Sequence, residues 1–279
     1  NGNLITGGVT AANFAFKDIT VALAATPGTL VTGGTANVTS IDIIQPTAGK
    51  QVTLALDFDS SGSMGDNDPS RLRVSAGKQL VSLLKAGDQA AIMDFGAETT
   101  TGLRASRLLQ DFTSDKTLLE KAIDRVTASG GTPLFSSLLD ALDLLKRQSP
   151  SNPVVVVLTD GEADKDDVGF FDDVVKQANS QSTPIFTVGL GRNIDFTQLQ
   201  KLANDTSGVF AEAADATALN IIFEDIGFGI TQGRVVVNGE GRFTPPLTKS
   251  GKYVVVGVLV TTIGGVSKDT IFNLTVDVK

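Results

Sequence analysis

The stretch "NPVVVVLTDG" at residues 152–161 limits the possible folds more than any other part of the sequence. Four valines and a leucine follow one another without the polar alternation of a half-exposed strand. Such a run is typical of a central strand in a parallel sheet, which helices cover on both faces. The aspartate and glycine at its end indicate that the chain turns there. The sequence therefore predicts an α/β fold built around this strand.

Strand-like and helix-like patterns alternate on both sides of that run. Apolar strand patterns lie at 52–58 and in the segments "AAIMDF", "SRLLQDF" and "TPIFTVGLG". Apolar residues recur at helical spacing in the intervening segments, which are 70–86, about 115–127, 134–147, 168–180, 195–203 and 216–227. We predict a doubly wound, mostly parallel, Rossmann-like sheet with helices on both sides.

The two ends of the chain have a different composition. Residues 1–48 and 231–279 are rich in Thr, Val and Gly, with Pro-Gly and Gly-Gly turns between short β segments. Each end has too few strands to be stable alone. We expect the two to form one β-sandwich, with the α/β domain 49–230 inserted between them. The alternative is that each end extends the central sheet independently.

The composition excludes several kinds of site. The 279 residues include no histidine and no cysteine, which excludes a Ser-His-Asp triad, a cysteine nucleophile and an imidazole or thiolate zinc site. Any metal must be bound by oxygen, which favours Mg²⁺, Mn²⁺ or Ca²⁺. The formal net charge of −8 argues against a nucleic-acid partner. No apolar stretch reaches the roughly 20 residues of a membrane span.

Oxygen-bearing side chains lie in three predicted loops. "DSSGS" places Asp59, Ser61 and Ser63 at alternate positions, which point to one side of an extended chain. "SGGTPL" places Thr132 before a helix, and "LTDG" places Asp160 at the end of the central strand. Taken singly, each is better explained by a turn or a helix N-cap. Because ligands bind outside the carboxyl ends of such strands, together they predict a site for a hard cation.

The same segments resemble the von Willebrand factor type A domain family. The resemblance rests on "LALDFDSSGSM", "SGGTPLFSSLLDAL", "VVVVLTDGEAD", "TPIFTVGLG" and "LQKLANDTSGVFAEAADATALNIIFEDI", and it extends over about 50–230. It implies a metal-ion-dependent adhesion site for Mg²⁺, or for Mn²⁺ or Ca²⁺. It also implies a non-enzymatic adhesion module, in which an acidic side chain of a protein ligand completes the coordination. The implied ligands, with Asp160 binding directly or through water, are Asp59, Ser61, Ser63, Thr132 and Asp160.

Other acidic residues near these motifs have plainer explanations. Asp66 and Asp68 resemble a second ion site of integrin β subunits, but a helix cap explains Asp68, and we favour a structural role for both. Asp94 is either a support for the site or a polar strand end. An acidic run after the central strand is predicted to be a solvated loop and helix start, with a rim for the partner as the alternative. The run comprises Glu162, Asp164, Asp166 and Asp167.

The alternative function is a Mg²⁺-dependent phosphatase of the haloacid dehalogenase type. "DFDSS" fits the D-x-D start of that family, with Asp57 as nucleophile and Asp59 as acid/base. Asp160 or Asp164 would then bind Mg²⁺. Against it, "SGSM" stands where that family usually has "GTL", and no clear catalytic lysine segment precedes the acidic motif. A third hypothesis is an ion that only stabilises the fold.

The flanks also bear on location. Their Thr-, Gly- and Val-rich β segments look like the immunoglobulin-like modules of exported proteins. We therefore predict an extracellular, cell-surface or periplasmic protein of bacteria, with an anchor allowed upstream of residue 1.

Overall fold

The structure is a computed structural model. It describes residues 14–23, 30–44, 51–161, 163–191, 196–213, 215–232, 234–244, 251–263 and 266–278. The chain forms two compact units, one from Asn1–Gln45 with Gly233–Lys279 and the other from Pro46–Gln232.

The strands, in chain order, are β1 (Phe14–Leu23), β2 (Leu30–Ile44), β3 (Thr53–Asp59), β4 (Gln89–Phe95), β5 (Ser106–Thr113), β6 (Pro153–Thr159), β7 (Ile185–Leu190), β8 (Phe210–Ala213), β9 (Arg234–Thr244), β10 (Gly251–Ile263) and β11 (Val266–Val278). The α-helices are α1 (Met64–Asn67), α2 (Leu72–Ser82), α3 (Lys116–Ile123), α4 (Leu134–Gln148), α5 (Phe171–Ser180), α6 (Thr197–Asp205) and α7 (Leu219–Gln232). Short 3₁₀ turns at Val168–Phe170 and Ala216–Ala218 precede α5 and α7.

The central unit contains the predicted mostly parallel sheet. Its strand order is β5-β4-β3-β6-β7-β8, and only the pairing of β4 with β5 is antiparallel. The predicted α/β fold is thus confirmed. Since β3 lies between β4 and β6 and runs parallel to both, the carboxyl ends of these three strands share one edge of the sheet.

Helices cover both faces of this sheet, and each face has its own core. One core contains Leu54, Leu56 and Phe58 of β3 with apolar residues of α2, α3 and α7. The other contains Ala55 with apolar residues of α4, α5 and α6. Side chains alternate along a strand, so Asp57 and Asp59 lie on the same face as Ala55, toward α4. The pattern that buries β3 on both faces therefore also directs its two aspartates to one side.

Strands from both chain ends pair in the other unit. The order β11-β10-β1-β2-β9 forms one antiparallel sheet, in which β1 pairs with β10 and β2 with β9. The described strands of the two flanks therefore pair with each other and do not extend the central sheet. The predicted β-sandwich is not confirmed, because these five strands belong to a single hydrogen-bonded sheet.

Several predicted helices differ from the observed ones at their ends. Helix α4 begins at Leu134 and ends at Gln148, close to the predicted 134–147. The helix predicted over 70–86 is shorter, because Arg71 adopts a left-handed conformation (φ 55°) and the helix starts only after it. Strand β8 was not predicted, since four residues are too few for a clear period.

Candidate metal centre

Four of the five predicted ligands lie in one hydrogen-bonded network at the edge where β3 and β6 end. The Ser61 amide donates to Asp59 Oδ1 (2.7 Å), and the Ser61 and Ser63 hydroxyls are 3.0 Å apart. The Ser63 hydroxyl donates to Asp160 Oδ1 across the two loops (2.8 Å). Asp59, Ser61 and Asp160 are buried, whereas Ser63 is exposed and opens the cluster to solvent.

The loop that carries the fifth residue, Thr132, is tied to the first loop through backbone hydrogen bonds. The Gly62 amide donates to the Gly130 carbonyl (3.1 Å), and the Ser129 amide donates to the Ser60 carbonyl (2.5 Å). Gly130 has a φ of 91°, and a Cβ there would lie 2.3 Å from the backbone nitrogen of Ala97. Glycine is therefore required for this close approach. Thr132 itself is half-buried at the start of α4.

The electrostatics of this edge favour a cation. The pKa of Asp59 is raised to about 6, mainly by burial and to a smaller extent by the charge of Asp160, while hydrogen bonds from Ser61 and Thr159 act to lower it. Within the described part of the chain, none of the ion pairs involves Asp59 or Asp160. A dication between the two carboxylates would stabilise both in their charged forms.

The donor set fits a hard cation. Among the described residues, no three acidic side chains gather into a metal-binding cluster. A cation here would therefore depend on hydroxyl oxygens as well as two carboxylates, which is oxygen chemistry that Mg²⁺, Mn²⁺ and Ca²⁺ accept. Such an ion would act as a Lewis acid that can bind an oxygen atom of a ligand from outside the domain.

The comparison with known families agrees with this geometry. The model of the von Willebrand factor type A domain matches residues 54–225, which is more than half of the chain. The chain belongs to the von Willebrand factor type A (VWA) domain family. Within the described residues, no helix is both long and apolar enough to cross a bilayer.

Relatives of this VWA protein are larger proteins. Inter-alpha-trypsin inhibitor heavy chain H2 of Mesocricetus auratus is 26% identical over 161 residues, which are 54% of this chain and 17% of that protein. Calcium-activated chloride channel regulator 1 of Homo sapiens is 27% identical over 235 residues, covering 81% of this chain and 24% of the relative. The chain thus spans about a fifth of the length of these relatives.

Solved structures share the fold. A von Willebrand factor type A protein from Catenulispora acidiphila has a TM-score of 0.57 at 15% identity, covering 94% of this chain and 73% of that one. Proximal thread matrix protein 1 from the mussel byssus was solved with zinc in its metal-ion-dependent adhesion site (MIDAS) motif. Its structure has a TM-score of 0.55 at 22% identity. That match covers 72% of this chain and 50% of the mussel chain.

The candidate site includes supporting residues that the sequence analysis did not single out. The Thr159 hydroxyl donates to Asp59 Oδ2 (2.6 Å), and the Asn67 amide donates to Asp160 Oδ2 (2.9 Å). Thr159 directly precedes Asp160 at the end of β6, so its place in the sequence could have predicted that it lies at the site. Asn67 lies at the end of the short helix α1, and only the turn after Ser63 brings it to the site.

Asp94 supports the first loop from the end of β4. Its buried carboxylate accepts the Ser60 hydroxyl (2.8 Å) and two guanidinium nitrogens of Arg107 (2.9 and 2.6 Å). Of its two predicted roles, the structure therefore shows the supporting one. Arg107 also pairs with the exposed Glu98 (2.7 Å). This charged cluster holds Ser60, the residue that directly follows Asp59, against the end of the sheet.

Asp57 lies in the core behind the site. It has no exposed surface, and its Oδ2 accepts the Ser137 hydroxyl (2.5 Å) beneath α4. Burial raises the pKa of Asp57 well above its ordinary value, which works against the ionised form. A phosphatase nucleophile must be ionised and must reach its substrate. The geometry of Asp57 therefore gives the phosphatase alternative no support.

Asp68 has the structural role that the sequence predicts. Its carboxylate accepts the amides of Leu72 (2.6 Å) and Arg73 (3.1 Å) at the start of α2. It also pairs with the buried guanidinium of Arg73 (2.7 Å). These contacts engage both carboxylate oxygens and match the predicted helix cap. Asp66 is exposed on α1.

The prediction of a solvated acidic loop after Asp160 is wrong for Asp167. That residue is 5% exposed, and its carboxylate accepts the amides of Phe135 and Ser136 at the start of α4. Asp164 is exposed, but its carboxylate accepts the Thr132 amide (2.9 Å). The other two members of the run are Asp166, which is exposed, and Glu162, which lies outside the described residues.

Proposed function

We propose that the central domain is a non-enzymatic, metal-dependent protein-binding module. A Mg²⁺ ion, or Mn²⁺ or Ca²⁺, is held by Asp59, Ser61, Ser63, Thr132 and Asp160. An acidic side chain of the protein ligand completes the coordination. The observation that carries this proposal is the pair of buried carboxylates at one sheet edge, linked through two serine hydroxyls and open to solvent at Ser63.

The choice of an acidic partner follows from the charges of the site. The hydroxyl ligands carry no charge, and Asp160 binds either directly or through water, so a divalent ion here keeps positive charge on its open side. Part of the site is also desolvated. A third carboxylate then gains more from the ion than a neutral group does, since Coulomb energy grows as water is excluded. Membership in a family of interaction modules supports a binding role over catalysis.

The first experiment measures metal binding by the full chain. Mg²⁺, Mn²⁺, Ca²⁺ and Zn²⁺ are each titrated, with zinc included because the mussel protein carries it in its MIDAS motif. An ion at about 100 times its Kd is expected to stabilise the protein by about 2.7 kcal/mol. Asp59→Ala and Ser63→Ala should lose this gain, while Asp66→Ala, which removes an exposed carboxylate nearby, should retain it. A wild-type chain that gains no stability from any of the four ions contradicts the proposal.

The second experiment tests the partner chemistry. The immobilised chain is probed with peptide pairs that differ only in Asp against Asn, or Glu against Gln, in Mg²⁺ and in chelator. Preference for the acidic peptides that disappears in chelator and in Ser63→Ala supports the proposed function. Metal-dependent stability with no metal-dependent capture of any acidic peptide favours the hypothesis that the ion only stabilises the fold.

We further propose that the protein works outside the cytoplasm, at the cell surface or in the periplasm. The support is the composition of the flanks, which pair into one antiparallel sheet as in exported β modules. Antibody labelling of intact against permeabilised source cells tests this. Signal only after permeabilisation of every membrane contradicts the placement.

A further inference from the structure

Thr132 and Asp164 are joined by hydrogen bonds in both directions. The Thr132 amide donates to Asp164 Oδ2 (2.9 Å), and the Asp164 amide donates to the Thr132 carbonyl (3.0 Å). Thr132 precedes α4, whereas Asp164 follows Asp160 by four residues. This pair therefore links the two loops that carry the second and third parts of the candidate metal site.

Asp167 adds a second link between the same two segments. Its carboxylate accepts the amides of Phe135 (2.5 Å) and Ser136 (3.0 Å), both in the first turn of α4. It also accepts the Ser136 hydroxyl (2.5 Å). The first amides of a helix lack partners within the helix, so a remote carboxylate is well suited to satisfy them. The Asp167 amide in turn donates to the Asp164 carbonyl (2.8 Å), which closes the loop into a turn.

Gly131 makes room for the Asp164 carboxylate. A Cβ at Gly131 would lie 2.6 Å from Asp164 Oδ2 and 3.4 Å from its Cγ. Gly131 does not have a positive φ, so alanine is compatible with the backbone there. A methyl group at this position would displace the carboxylate from the Thr132 amide without changing the charge of the protein.

We propose that Asp164 and Asp167, over Gly131, form a clasp that sets the position of Thr132 relative to Asp160. Both are positioning residues for the metal site and not ligands of the ion. The inference rests on the proposed metal-dependent function, because it concerns how that site is held together. It explains why the acidic run contains two carboxylates that bond to the segment around the start of α4, whereas Asp166 is exposed.

The test uses the full chain and Mn²⁺ alone, titrated by calorimetry, with unfolding in chelator measured beside it. Asp164→Ala and Gly131→Ala are each expected to weaken Mn²⁺ binding by about tenfold or more, as losses of supporting contacts at metal sites do. Asp166→Ala removes an equal charge from the same loop and should change the affinity by less than about threefold. The melting temperature in chelator should change little for Asp164→Ala, because its carboxylate is exposed.

A double mutant separates positioning from a general loss of order. If Asp164 acts through Thr132, then Asp164→Ala should cost little further affinity in a Thr132→Ala background. Two results would overturn the clasp alone, provided that the wild type binds Mn²⁺. One is that the affinity losses of Asp164→Ala and Thr132→Ala add fully in the double mutant. The other is that Gly131→Ala and Asp164→Ala both change the affinity as little as Asp166→Ala does. Absence of Mn²⁺ binding by the wild type overturns the proposed function and the clasp with it.

Discussion

The buried ion pair between Asp68 and Arg73 provides the sharpest prediction for stability. The two side chains are 0% and 1% exposed, and Arg73 also donates to the Thr127 carbonyl (2.9 Å). Asp68→Ala leaves the guanidinium buried without its carboxylate, which typically costs about 3 to 5 kcal/mol. It also removes the acceptor for two amides at the start of α2, worth about 1 kcal/mol. We expect the free energy of unfolding to fall by about 4 to 6 kcal/mol.

Urea unfolding followed by far-UV circular dichroism measures this loss. The signal reports on the central unit, because the described helices all lie within Pro46–Gln232. Asp68→Ala combined with Arg73→Met should recover much of the stability, since an apolar pair of similar volume avoids the unpaired charge. As a control, Lys78→Ala breaks an exposed ion pair and should cost less than about 1 kcal/mol.

Two results would refute this reasoning. A loss below about 1 kcal/mol for Asp68→Ala would show that the guanidinium finds other partners or reaches water. A loss present in Mg²⁺ but absent in chelator would show that Asp68 acts by binding an ion, as in a second metal site.

Three further predictions concern other parts of the central domain. The raised pKa of Asp59 stabilises the metal-free protein below about pH 4, and this contribution disappears as the pH rises through about 6. In chelator, Asp59→Asn should therefore raise the free energy of unfolding at pH 7 by up to about 3 kcal/mol and change it little at pH 4. Equal changes at both pH values would contradict this. Gly77→Ala should destabilise the protein by about 1 to 3 kcal/mol, because the added Cβ would lie 2.5 Å from the Phe58 ring. This clash outweighs the gain of about 1 kcal/mol in helix propensity. A variant that is more stable in thermal melting would show that the ring moves aside. Asp140→Ala should lower the free energy of unfolding in urea by about 2 to 4 kcal/mol, because the buried carboxylate accepts backbone amides of 104–106. Asp143→Ala, at a more exposed position, should lower it by less than about 1 kcal/mol. Equal losses for the two variants would contradict this.

The sequence predicted the elements whose pattern is set by burial on both faces. Strand β6 is an unbroken apolar run, and α4 buries a long stripe of leucines, so both lie close to their predicted positions. The start of α2 was less predictable. Proline at the first position of a helix is favourable, but here Asp68 accepts amides from Leu72 and Arg73, and the chain turns through Arg71 first. That choice depends on burying Arg73, which local sequence does not reveal.

The candidate site shows the same division between local pattern and tertiary contact. The motif "DSSGS" and the end of β6 were enough to predict that Asp59, Ser61 and Ser63 lie near Asp160, because parallel strands end at a common edge. The extended chain assumed for that motif is not observed, since residues 61–63 turn into α1. Asp164 and Asp167 carry no such signal, since an acidic loop has the same composition whether its carboxylates face water or cap a distant helix. The spacing that matters for them is between the loop and α4, about 30 residues earlier in the chain. Short motifs can therefore predict which candidate ligands lie close together, whereas the contacts that hold them in place require the fold.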